Sequence, residues 1–183
     1  MPSPLVSPIT DFVRSIGKPG INRGPSTLLA VALPLLLVMA GSLSPTWPVI
    51  AAAPVMPPLG FILLLAWQHL RPGLFPVWAG LPLGLFDDLF SGQPLGSAVL
   101  LWSLAMILLD ILEVRFPWRG VVQNWLVGGA IITGYVLLSA QLAGGLDLPL
   151  LLPQIALSIL AYPLAARLVG AVDRLRLIPI KKY

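Results

Sequence analysis

Six apolar runs, separated by short segments that hold nearly all the Lys and Arg, set what this chain can fold into. They cover about residues 28–43, 59–70, 75–90, 95–113, 121–143 and 150–172. A membrane crossing needs about 20 apolar residues, so the shorter runs reach it only by recruiting neighbours such as Val55 and Met56. Of the 183 residues, 57% are hydrophobic and 10% charged, and the mean hydropathy is +0.93. Soluble domains carry about 25% charged residues. The pattern therefore predicts an all-α, polytopic integral membrane helix bundle with about six transmembrane helices. The chain has no cysteine, which excludes disulfides and cysteine-based metal or redox centres.

The basic residues orient the bundle. With a cytoplasmic amino terminus, the inner segments are 1–24, 71–76, 114–120 and the residues after 172. They hold Arg14, Lys18, Arg23, Arg71, Arg115, Arg119, Arg174, Arg176, Lys181 and Lys182. Arg167 sits near the inner end of the sixth run, where it can snorkel. The outer segments hold no Lys or Arg, so both termini are expected inside. The net charge of +4 thus reflects orientation. No soluble domain gathers a basic groove, and no nucleic acid is expected as partner. Trp67, Trp78, Trp118 and Trp125 fall near the inner interface, as an aromatic belt would place them.

Three regions follow. Residues 1–24 form a cytoplasmic segment in which Ile9, Phe12, Val13 and Ile16 recur at helical spacing. An interfacial amphipathic helix and a disordered tail both fit it. Residues 25–172 form the six-span membrane domain, and 173–183 a basic cytoplasmic tail. Prolines 45, 48, 54, 57 and 58 bar an uninterrupted helix between the first two runs and predict an irregular or re-entrant outer segment. Ala40-Gly41-Ser42 offers a signal-peptide cleavage pattern, but the downstream charges work best with the first run retained. Pro163 predicts a kink in the sixth run.

The polar interest centres on residues 84–96, Gly-Leu-Phe-Asp-Asp-Leu-Phe-Ser-Gly-Gln-Pro-Leu-Gly. Carboxylates beside a hydrocarbon core are costly. Gly80, Gly84 and Asp88 are spaced four apart and share one helix face. Gly80 and Gly84 make a small-xxx-small pair that lets another helix approach closely. Asp87 points about 100° away, toward water or a different neighbour. Asp88 has no basic residue on its side of the membrane. It is expected to be hydrated, protonated, or bonded to N–H groups of the 91–96 turn and of the next helix start at Gly96 and Ser97. A direct partner or ligand contact is the competing role.

Other constellations are weaker. Asp110 and Glu113 lie one turn apart, where Arg71, Arg115 or Arg119 is expected to compensate them; two carboxylates alone do not define a metal site. Asp87-Asp88 begins an Asp-Asp-x-x-Asp diphosphate motif, but Ser91 stands at the last acidic position. His69 is the only histidine and is expected to snorkel at the inner interface. No phosphate loop or catalytic triad is recognisable. Hence no catalytic residue, cofactor or metal is expected.

Pro58-Leu-Gly-Phe-Ile-Leu-Leu-Leu-Ala-Trp67, Arg71-Pro72 and Gly84-x-x-x-Asp88-Leu-Phe-Ser-Gly92-x-x-Leu-Gly96 together resemble the bacterial rod-shape-determining membrane protein family MreD. The resemblance covers about residues 45–125. Ala66 departs from it, since the family often has an aromatic there, and the N-terminal extension has no counterpart. The resemblance implies a non-catalytic component of the cell-elongation machinery in the bacterial inner membrane. Its implied partners are MreC, the cytoskeletal MreB, RodA and a penicillin-binding protein. Trp67, Arg71, Gly80, Gly84, Asp88, Gly92 and Gly96 are its candidate structural or partner-contact residues. The family fold is similar to the substrate-binding subunits of energy-coupling-factor transporters. A small-molecule, vitamin-type binder is therefore the alternative, with Asp87, Asp88, Gln93, Ser97, Gln141 and Asp147 as its polar candidates.

Overall fold

The computed structural model describes residues 27–46, 56–115, 120–145 and 147–176. Among them the fold is all-helical: α1 (Thr27–Ser42), α2 (Leu59–Leu70), α3 (Gly80–Ser91), α4 (Ser97–Arg115), α5 (Val121–Leu142) and α6 (Leu148–Arg176). Single 3-10 turns follow α1 at Ser44–Thr46 and precede α3 at Val77–Ala79. The apolar stripe expected within residues 1–24 lies outside the described residues.

Three helices among the described residues, α4, α5 and α6, are long and apolar enough to cross a membrane. The other three are shorter: α1 and α2 match the runs at 28–43 and 59–70, and only α3 falls short of its run. The run at 75–90 is interrupted at Pro76, and α3 has 12 residues, about 18 Å at 1.5 Å per residue. The turn Arg71-Pro72-Gly73 ends α2 after 12 residues. Shortness is tolerable for α2 because protein surrounds it, so its ends need no lipid-facing span. Phe61, Ile62, Leu64, Leu65, Ala66 and Trp67 are all buried, and α1, α5 and α6 pack around the helix.

The helices present leucine outward and keep polar groups inside. Leu81, Leu85 and Leu89 of α3 are exposed, whereas Leu83, Gly84, Asp87 and Asp88 are buried. On α4 the buried positions Ser97, Ala98, Leu101, Trp102, Ala105, Met106 and Leu109 follow the helical repeat, and Leu100, Leu104, Ile107 and Ile111 face outward. Such a distribution is unfavourable in water and natural in lipid. The chain has the character of a membrane protein.

Two expectations are corrected here. Trp67 is wholly buried among the helices, so it is a core residue and not part of an interfacial belt; among the described residues Trp78 and Trp125 are the exposed ones, and Trp118 lies outside them. Residues 173–176, expected in a tail, continue α6. Helix α6 also runs through both Pro153 and Pro163.

The glycines set the closest approaches. A Cβ on Gly41 would lie 2.9 Å from the backbone nitrogen of Gly60, and one on Gly60 would collide with Ser42. This glycine-on-glycine contact seats α1 against α2. It was not anticipated, because neither residue has a small partner at i+4 to flag it.

Candidate functional site

The motif at 84–96 folds into a tight corner between α3 and α4. A Cβ on Gly80 would meet the backbone of Ser103 at 2.9 Å, and one on Gly84 would meet Cα of Val99 at 2.7 Å. The two glycines therefore let α3 lie against α4 backbone to backbone. At the corner, α3 ends at Gly92 with φ +69°, and Gly96 precedes α4 with φ +96°. L-residues with side chains adopt these left-handed angles only under strain.

Asp88 closes the corner. Its Oδ2 accepts the backbone N–H of Gly96 at 2.8 Å and of Val99 at 3.3 Å. Its Oδ1 accepts the N–H of Ala98 at 2.8 Å and the Ser97 hydroxyl at 3.2 Å. The Ser97 N–H goes to Pro94 O, and the Leu100 N–H to Gly96 O. Every amide at the start of α4 is thereby satisfied, as a helix end in an apolar setting requires. The negative carboxylate also sits at the positive end of the helix dipole. These donors are the ones the sequence pointed to, and Asp88 is buried among them.

Of the two settings open to Asp87, water or a different neighbour, the structure shows the second. It is 7% exposed, and the side chains of Ser42 and Tyr135 lie beside its carboxyl group. Tyr135 stacks on Phe61 with ring centroids 4.2 Å apart, and Phe61 lies 5.8 Å from the Trp102 ring. Sequence reasoning missed Ser42 and Tyr135, because each lies more than 40 positions from Asp87 in a run that reads as purely apolar.

The opposite end of the bundle holds the ion pair. Arg71 donates from Nε at 3.1 Å and from Nη2 at 2.9 Å to Oδ2 of Asp173. This corrects the expectation that Arg71 compensates Asp110 or Glu113, which are exposed; Arg119 lies outside the described residues. His69 is half-buried, its Nδ1 2.9 Å from both Leu65 O and the Tyr162 hydroxyl. It is thus anchored to α6 rather than reaching freely to the interface.

Two cavities mark the two ends. Near the 91–96 turn, a cavity of about 260 Å³ is bordered by Gln93, Ser139, Asp147 and Gln154, and Gln154 donates to Met56 O at 2.9 Å. Of the polar residues considered for a ligand, it gathers Gln93 and Asp147. Asp88 and Ser97 are committed to the corner, Asp87 is buried with Tyr135, and Gln141 is exposed. Toward the Arg71 end, a cavity of about 320 Å³ involves α2, α5 and α6. No family model, curated protein or solved structure matches the chain.

Proposed function

We propose that this protein is a non-catalytic scaffold of the MreD type in the bacterial inner membrane. In this reading it maintains rod shape by organising an MreC-type protein, an MreB-type cytoskeleton, RodA and a penicillin-binding protein. The observation that carries the proposal is the fate of the motif 84–96. Gly80, Gly84, Asp88, Gly92 and Gly96 are all spent on joining α3 to α4. A motif used this way builds a rigid body whose leucine-covered faces remain available to neighbouring transmembrane helices.

We further propose six membrane-embedded helices with both termini cytoplasmic, in a bundle similar to the energy-coupling-factor substrate-binding subunits. The supporting observation is the segregation of charge. Arg71, Arg115, Arg167 and Arg174 gather toward one end of the bundle, where Arg71 meets Asp173 and Pro72 borders the same cavity as Glu113. The residues described at the 91–96 end include no Lys or Arg. Such a bias supports a cytoplasmic Arg end.

Depletion in the native host tests the function. Loss of rod shape is expected, and complementation by the Gly84→Leu variant is expected to fail. An unchanged shape accompanied by a vitamin requirement would favour the alternative, a substrate-binding subunit. The polar-bordered 260 Å³ cavity is the observation on that side.

A further inference from the structure

We infer that the cavity between α2, α5 and α6 at the Arg71 end binds the phosphate headgroup of an anionic phospholipid. The cavity, about 320 Å³, is bordered by His69, Asn124, Trp125, Tyr162, Pro163 and Arg167. Its chemistry is divided. One side is apolar, from Ala66, Leu70 and Ala166, and suits the upper part of an acyl chain. The other side carries hydrogen-bond donors and a fixed positive charge.

Charge complementarity selects the occupant. Arg167 makes no ion pair among the described residues, where the guanidinium–carboxylate contact is Arg71 with Asp173. Among the described residues no acid borders this cavity. A guanidinium beside an apolar wall matches a phosphodiester whose ester arms continue into hydrocarbon. Asn124 is half-buried, and its side-chain amide offers donors that no group among the described residues accepts. The Trp125 ring is pinned by its Nε1–H to Ile159 O at 3.1 Å, and Tyr162 is held by His69. The walls are therefore fixed in place before a lipid arrives, which lowers the ordering cost of binding. Basic pockets between transmembrane helices on the cytoplasmic side are where anionic headgroups bind.

The inference rests on the bilayer reading above but not on the elongation partners. Its failure is separable from theirs, because lipid retention is measured on the purified chain. The full-length protein in a neutral detergent is titrated with phosphatidylglycerol or with phosphatidylcholine, and bound lipid is counted by native mass spectrometry. Phosphatidylglycerol should be retained preferentially. Arg167→Gln should weaken it by about tenfold, the loss of one charge-assisted contact, and Asn124→Leu should weaken it less. Arg174→Gln, at the same end but outside the cavity, should leave it unchanged. Equal retention of the two lipids, or an Arg167→Gln protein that binds like wild type, would overturn the site. Displacement of the lipid by millimolar inorganic phosphate would show that a soluble phosphate, not a lipid, is the occupant.

Discussion

Arg71 and Asp173, 102 positions apart, are joined by two hydrogen bonds from one guanidinium to one carboxylate oxygen. The pair ties the end of α2 to the last turns of α6. Its two members differ in setting: the Arg71 side chain is 47% exposed, that of Asp173 8%. Exposed pairs contribute roughly 0–1 kcal/mol, whereas breaking a buried pair costs about 3–5 kcal/mol. A value between these limits is expected, about 1–2 kcal/mol, for Arg71→Gln. Asp173→Asn should cost less, because the charge it leaves behind, on Arg71, is half exposed to water. The double variant should lose less than the sum of the two, as measured by thermal unfolding in detergent. Additive losses would show that the contact contributes nothing.

The glycines give a prediction with two signs. Gly84→Ala places a methyl 2.7 Å from Cα of Val99, and backbone cannot rotate aside as a side chain can. Overpacking of this kind costs about 1–3 kcal/mol. Gly134, inside α5, has open space where its Cβ would go, and Gly134→Ala should gain up to about 1 kcal/mol from helix propensity. Melting curves of the two variants should move in opposite directions. A harmless Gly84→Ala would mean that α3 and α4 stand further apart.

Orientation can be measured directly. Reporter fusions at Ser91 and Gly145 should report the outside, and those at Gly73 and Tyr183 the inside. A cytoplasmic signal at Gly145 would contradict the six-span arrangement.

Much of the corner was legible in the chain because its logic is local. Spacing of four put Gly80, Gly84 and Asp88 on one face, and the lack of any nearby cation left backbone amides as partners for Asp88. What escaped was set by packing between distant runs. Nothing at Arg71 distinguishes Asp173 from Asp110 or Glu113, since all three acids lie near the same end. For Asp87, helical geometry gave a direction but could not choose between water and a neighbour, because Tyr135 and Ser42 come from distant runs. Hydropathy likewise read the run at 75–90 as one span. It does not register that Pro76 and the 3-10 turn at Val77–Ala79 shorten the helix.

The central claim is that Asp88 is the internal cap that holds α4 to α3, and the Asn and Ala variants test it together. Asp88→Asn keeps an acceptor oxygen, so the corner should survive, weakened by about 1–2 kcal/mol. Asp88→Ala strands the buried amide of Ala98 and the partly buried ones of Gly96 and Val99 and should cost more, about 3 kcal/mol or above, since one unsatisfied buried group alone costs roughly 1–3 kcal/mol. Thermal unfolding in detergent should rank wild type above Asn and Asn above Ala, with capture of the proposed MreC-type partner following the same order. An Asn variant as stable as wild type that has lost its partner would contradict the account, and would make Asp88 a contact site instead.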